Sequence, residues 1–370
     1  QARENRERMQ NLLQHLRFSL RMLWKNPALA LTLLFTLALG IGANTAIFTV
    51  DYATLIAPLP YPEPDQLVMV WSKVQGHNNG VSAGDFTDWQ RDNKVFQDIH
   101  AWTGGAFNLA THDQPEFIPG TRATPGMATM MGNKFFLGRD LRPDENVAGK
   151  DHVVVLTHSL WQKLGADPAI IGKSLSLDGE PYTVVGVEAP GLADRDRSQL
   201  TVPLVFKPEQ LNHDFHWLLV KARLKPGLTI QQAQADMDSV TANVAKAYPK
   251  SNQGWGAAVE PLKNDFISAD RKATLWLLLG AVAFILLIAC VNVANLLLAR
   301  SMTRQKEMAI RSALGAAPRT IFLQLLTESL LLALMGGALG IGVGYAMLRG
   351  LIGVMPKGTL PIEADLRLNL

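Results

Sequence analysis

The stretch Ala273–Ala299, ATLWLLLGAVAFILLIACVNVANLLLA, runs for 27 residues without a charged side chain. A helix of roughly 20 residues crosses the hydrocarbon core of a bilayer, about 30 Å thick, so this run is long enough to span. Two more runs have the same character, ALALTLLFTLALGIGANTAIFTV at Ala28–Val50 and a Gly-rich run from Ile321 to Leu348. Together they account for the composition of the 370 residues, which are 48% hydrophobic and only 18% charged, against about 25% in an ordinary soluble domain. A wholly soluble enzyme is excluded.

Charge sets the orientation. Residues 1–26 hold six Lys/Arg and two Glu, and residues 300–320 hold five basic residues and one acid. The positive-inside bias places both in the cytoplasm. These two segments carry +8 between them, so the rest of the chain carries −5, and the net +3 reflects topology and not a nucleic-acid surface. A cleaved signal peptide is disfavoured for Ala28–Val50, because its 23 apolar residues exceed the about 7 to 15 of a signal core.

The expected organisation is a cytoplasmic amphipathic interfacial helix (1–26), a first span (27–50), an extracytoplasmic domain (51–271), a second span (272–299), a cytoplasmic loop (300–320), a third span (321–348) and an outer segment (349–370). In the first of these, Met9, Leu12, Leu13, Leu16, Leu20 and Leu23 recur at helical spacing. The prolines of APLPYPEP, Pro58 to Pro64, favour an extended, stiff connection, with a turn-rich loop equally consistent with the composition. The outer region is mixed. Strand patterns lie at 66–71, 152–156, 174–177, 182–187 and 217–224, and helix patterns at 83–93, 159–164 and 229–248, the last capped by Thr229. Asp178-Gly179 between alternating residues marks a hairpin. The fold class is thus an α-helical transmembrane bundle with a large α+β extracytoplasmic domain inserted between spans 1 and 2.

The search for chemistry yields little. Gly165 to Ser174 approximates a phosphate-binding loop, but the spacing is wrong, since Asp167 occupies the position where the first glycine is required. His213 and His216 are the only close histidine pair, and solvated or capping roles outweigh metal binding there. Asp194 and Asp196 alternate with arginines as in a solvated turn, and Cys290 is a lone packing residue, so no metal site and no catalytic residue is assigned. Small residues recur at Gly336, Gly340 and Gly344, and at Ala38, Gly42 and Ala46, the ridge that lets membrane helices approach. Asn292 and Asn295 want partners on neighbouring helices, or else line a polar pathway. In the short cytoplasmic loop Glu307 and Arg311 pair at i,i+4 and Gly315 ends a helix before Pro318. On physics alone that loop is as consistent with an inert connector as with a docking element.

RQKEMAIRSALGA (Arg304–Ala316) followed by QLLTESLLLALMGGALG (Gln324–Gly340) resembles the signature of FtsX/MacB-type ABC transporter permeases. NPALALTLLFTLALGIGANTAIFTV (Asn26–Val50), FTDWQRDNKVFQDI (Phe86–Ile99) and LGADPAIIGKSLSLDGEPYTVVGV (Leu164–Val187) resemble the first membrane helix and MacB-like periplasmic core domain of the same family, most of all the N-terminal half of the duplicated permeases of acidobacteria.

The resemblance implies a multi-pass protein of the bacterial inner membrane, N-terminus in the cytoplasm and large domain in the periplasm. It implies a permease subunit of a type VII-like transporter, transmitting ATPase-driven motion to the periplasmic domain for efflux or release of substrate. The chain itself is then not an enzyme and holds no cofactor, since a cytoplasmic ABC ATPase binds the ATP. Arg304, Lys306, Glu307, Arg311 and Gly315 become the ATPase-coupling residues. Other implied partners are a second permease half or an identical copy, the lipid bilayer and a periplasmic adaptor. The family has a fourth membrane helix, and the odd span count with Gln1 at the start leads us to expect a piece of a longer chain. The competing expectation is a membrane-anchored periplasmic scaffold or sensor without ATP-driven cycling; a tethered hydrolase would need His213 and His216 to be essential.

Overall fold

The computed structural model describes residues 27–110, 115–191, 198–266, 269–303 and 318–354, with 305, 309, 310 and 313. The chain separates into two compact units, one of long helices and one that begins at Pro58 and carries all the described strands.

The helical unit is built from Pro27–Asp51, Ala269–Thr303 and Pro318–Val354. Three stretches within it, Ala30–Ile56, Arg271–Ala299 and Leu326–Val354, are long and apolar enough to cross a membrane. Pro27 opens the first helix, where its missing N–H costs nothing. That helix continues into a π-helical turn, Tyr52–Ile56. The second helix runs beyond its apolar window at both ends, and the third begins ahead of its window, at Pro318.

The strand-bearing unit has β1 (Leu67–Val74), β2 (His77–Asn79), β3 (Val81–Ser82), β4 (Phe96–Ala110), β5 (Pro115–Ala123), β6 (Phe135–Gly138), β7 (Val153–Leu156), β8 (Ser174–Leu177), β9 (Glu180–Glu188), β10 (Leu200–Pro203), β11 (His216–Leu224) and β12 (Trp255–Pro261). Its helices are α1 (Ala83–Asp92), α2 (Met127–Met130), α3 (His158–Lys163), α4 (Ile230–Ala247), α5 (Pro249–Asn252) and α6 (Leu262–Phe266). The main sheet runs β12-β1-β11-β4-β5-β10-β7-β9-β6, antiparallel except where β5 meets β10 and β7 meets β9.

Two hydrophobic clusters lie along this sheet. In one, α1 buries Phe86 and Trp89 and α4 buries Ala233, Met237 and Val240 against β1, β4 and β11. The other gathers Phe107, Ile118, Leu156, Leu160, Val184 and Val202. The long strand β4 belongs to both, with Ile99 and Ala101 in the first and Phe107 and Leu109 in the second. Its pairing with β5 sets Phe107 opposite Ile118, so the two cores share one backbone ladder.

Local chemistry explains the element ends. Ser82 Oγ accepts the Asp85 amide at the start of α1, and Thr229 closes a capping box with Gln232 on α4. Gln234 then joins α4 to β12, donating to Ala257 O at 2.9 Å and accepting from Val259 N at 2.8 Å. Asp178 and Gly179 both have positive φ, the type I′ geometry that matches the twist of β8 and β9, and Asp178 Oδ1 also accepts the Asn108 amide.

The proline segment is not an extended rod. It bends at residues 60–63 and enters a 3-10 turn at Pro64–Gln66, with Glu63 in the left-handed region at φ 46°. Between β6 and β7, Arg139 forks onto Glu145 at 2.5 and 3.0 Å, and the Arg142 amide adds a third hydrogen bond at 2.7 Å. Burial opposes ionisation of Glu145, but these donors outweigh it and hold the carboxyl below its ordinary value near 4.5. Stability from a lowered acid is present above the unfolded value and is lost as pH falls through the folded one. Glu145→Gln should therefore lower the unfolding free energy by about 2 kcal/mol at pH 7, with the gap to wild type closing in denaturant titrations below about pH 4.

Candidate functional site

The first and third span helices meet through the small residues. A methyl group built on Gly340 would lie 2.8 Å from Ile41 Cβ, and one on Gly336 would lie 2.8 Å from Leu37 Cβ. From the other side, a methyl on Gly42 would lie 3.0 Å from both Gly340 O and Gly344 N, and one on Gly344 would lie 3.1 Å from Gly42 O. Backbone therefore faces backbone at this crossing, which only glycine permits. A methyl on Gly40 would lie 3.2 Å from Ala289 Cβ on the second span helix.

Asn292 and Asn295 are exposed, and among the described residues neither hydrogen-bonds to another helix. The buried positions of that helix are Val282 and Ala289. The amide that does join two helices is Asn44, which donates to Val282 O at 2.8 Å and to its own helix at Gly40 O at 2.9 Å. The one amide side chain in an apolar 23-residue run was the available signal. Asp51, directly after that run, is a second such polar residue. It is 1% exposed, and neither carboxyl oxygen meets a hydrogen-bond partner among the described residues.

Arg304, Lys306, Glu307, Arg311 and Gly315 lie outside the described residues, as do residues 1–26, Asp194, Asp196 and residues 355–370. What is described of the loop between the second and third span helices, Gln305, Ala309, Ile310 and Ala313, is helical and exposed. Ile310 is thus an exposed apolar side chain.

His213 and His216 are neither solvated nor capping. Both are buried against two aspartates of α1: His213 Nε2 lies 3.1 Å from Asp88 Oδ2 and 4.0 Å from Asp85 Oδ1, and His216 Nε2 lies 3.5 Å from Asp85 Oδ2. Their rings stack on Tyr248 and Trp255 at 3.8 and 3.9 Å. Asn252 Nδ2 donates to Asp85 at 2.7 Å, Arg91 pairs with Asp88, and Ser82 Oγ is committed to the α1 cap. A methyl on Gly84 would lie 2.8 Å from the His213 ring and from Asn212 O, so this glycine admits the loop. Chemically the cluster ties together α1, the loop before β11 and the α4–α5 corner. Sequence distance hid it, since the acids stand more than a hundred residues from the histidines.

The loop at Gly165–Ser174 is likewise occupied. Asp167 accepts the Ala169 amide and pairs with Lys173, the lysine that a phosphate site would need.

Comparison with known proteins agrees with this architecture. The family model described as MacB-like periplasmic core domain matches residues 30–240, and that described as FtsX-like permease C-terminal matches 279–364. The chain is 25% identical over 281 residues to an uncharacterized ABC transporter permease, YknZ of Bacillus subtilis, covering 72% of this chain and 68% of that protein. It is 27% identical over 209 residues to the macrolide export ATP-binding/permease protein MacB of Neisseria meningitidis serogroup A, covering 55% of this chain. Here it spans 32% of the relative's length. Among solved structures, a domain of a putative permease protein from Porphyromonas gingivalis is similar at TM-score 0.44 and 17% identity, over 55% of this chain and 93% of that one. The periplasmic region of MacB from Actinobacillus actinomycetemcomitans is similar at TM-score 0.40 and 16% identity, over 52% and 87%.

Proposed function

Because the chain belongs to the MacB/FtsX-like ABC transporter permeases, we propose that it is the permease subunit that carries ATPase-driven motion from the cytoplasm to its outer domain, for efflux or release of substrate. The N-terminus and the loop of residues 304–316 then face the cytoplasm, in keeping with their basic charge. The outer domain faces the periplasm. ATP is bound and hydrolysed by a separate ABC ATPase, and the functional unit contains a second permease half or a second copy.

The observation that carries this reading is the loop itself. Between two apolar helices stands RQKEMAIRSALGA, with a favourable Glu307–Arg311 spacing, a Gly315 stop and an exposed Ile310. A short helix held at both ends by membrane spans moves with them, so a partner that grips it moves the spans.

The test is co-purification with candidate ATPases. Joint replacement of Glu307 and Arg311 by alanine should abolish retention of the ATPase and its stimulation by the permease, while the membrane-extracted permease stays folded. Undiminished binding and stimulation would refute the coupling role.

A further inference from the structure

Arg223, on β11, is buried, and its guanidinium meets backbone carbonyls in place of a buried acid. Nη2 donates to Met130 O at 2.7 Å, and Nη1 to Pro62 O at 3.1 Å and Glu63 O at 3.4 Å. The one carboxylate within 4.0 Å is that of Glu63, which is mostly exposed. Removing a charge from water without a buried counter-charge is costly, and an apolar side chain of similar volume commonly serves stability as well or better. Stability alone therefore does not account for an arginine here, whereas a fork of donors reaching two separate segments does.

One of these segments is the end of α2 and the other is the bend at residues 60–66. Glu63 holds its left-handed conformation there, and Gly132, just after α2, has φ 81° with an absent Cβ that would lie 2.4 Å from Pro62 Cγ. The β11 register shifts between Arg223 and Leu224, a bulge of the kind that re-aims a side chain. Immediately after the bend begins β1, which pairs with β11 at Leu67–Arg223. Two residues before the bend stands Pro58, itself two residues past the turn that ends the first span.

We infer that Arg223 is a positioning residue that locks the 60–66 bend to the sheet, so that displacement arriving along the first span reaches β1 and β11 and is not absorbed at the bend. This rests on the driven-motion reading of the preceding subsection. Without the fork, the bend keeps the β1 ladder and the apolar packing of Leu59 and Tyr61 beside Met69 and Met130 but loses its side-chain tie to β11, and strained Glu63 is free to relax.

The experiment uses the full chain with its co-purified ATPase, in phosphatidylethanolamine/phosphatidylglycerol vesicles doped with a nickel-chelating lipid. Cys290 is replaced by serine, and a nitroxide is placed at Pro60→Cys or, separately, at Lys73→Cys on β1. Relaxation by the lipid-borne nickel reports each label's height, with and without ADP–vanadate. In the Arg223 background both labels should shift together on trapping. Arg223→Met should keep its thermal transition and the shift at position 60 but lose the shift at position 73. Arg223→Lys, which donates to fewer carbonyls, should restore part of it, and it supplies the same test should the methionine variant fail to fold. Both labels shifting in Arg223→Met as in wild type would overturn the clamp alone. Neither label shifting in wild type would instead refute the driven motion, and the clamp with it.

Discussion

Leucine at Gly340 is expected to part the third span helix from the first. The glycine Cβ position already lies 2.8 Å from two atoms of Ile41, and the first helix can withdraw only by giving up the close approach of Gly42 to Gly340 and Gly344. In a bilayer no hydrophobic drive pulls the helices back together, so the packing lost at this ridge is lost outright. The expected cost is about 3 kcal/mol, at the upper end of overpacking effects, because the β-branch of Ile41, fixed close to its backbone, and not a flexible side-chain tip faces the insertion. Unfolding of the full chain by a harsh detergent in mixed micelles reads this directly. Gly337→Leu and Gly342→Leu are the controls, for a methyl at either meets nothing within 4 Å, and both should unfold like wild type. Equal destabilisation by all three would mean that leucine perturbs the helix itself and that the ridge carries no special packing.

The second large effect is expected in the outer domain. Gly186 on β9 stands opposite Gly138 on β6, and a methyl built on it would lie 2.1 Å from Arg139 O. A carbonyl in the β6 edge cannot turn away without losing pairing, since the Arg139 amide is itself bonded to Val185 O. Gly186→Val should therefore cost about 3 kcal/mol or more and lower the midpoint of outer-domain unfolding, followed by tryptophan fluorescence. Gly256→Val on β12, where a methyl meets nothing, should be close to neutral.

How far the primary structure announces this molecule depends on the range of the interaction. The spans are legible because apolar length is a local property, and so are the Asp178-Gly179 turn and the Thr229 cap, which act within four residues. β4 and β5 were not legible. Gly104-Gly105 interrupts the alternation of one strand, and Pro115 and Pro119 break the pattern of the other. Their pairing, which sets Phe107 against Ile118, is what makes them strands. The histidines failed differently. Spacing alone gave His213 and His216 a solvated or capping role, and only the fold brings Asp85 and Asp88 to them. Asn44 outdid Asn292 and Asn295 as the interhelical amide because which face of a helix meets a neighbour is set by the neighbour. The proline bend follows the same rule, since the donor to its carbonyls is Arg223, some 160 residues further along.

Both substitutions above concern how the molecule is held together; its proposed work is motion. Hydrogen exchange of backbone amides tests that most directly, comparing the full chain with its ATPase in the nucleotide-free state and trapped with ADP–vanadate. Segments 58–74 and 216–224, which carry the bend, β1 and β11, should change their exchange on trapping, although the nucleotide sits across the membrane from them. Identical exchange of these segments in both states, with the ATPase demonstrably bound and trapped, would contradict a motion-transmitting permease and favour a membrane-anchored scaffold.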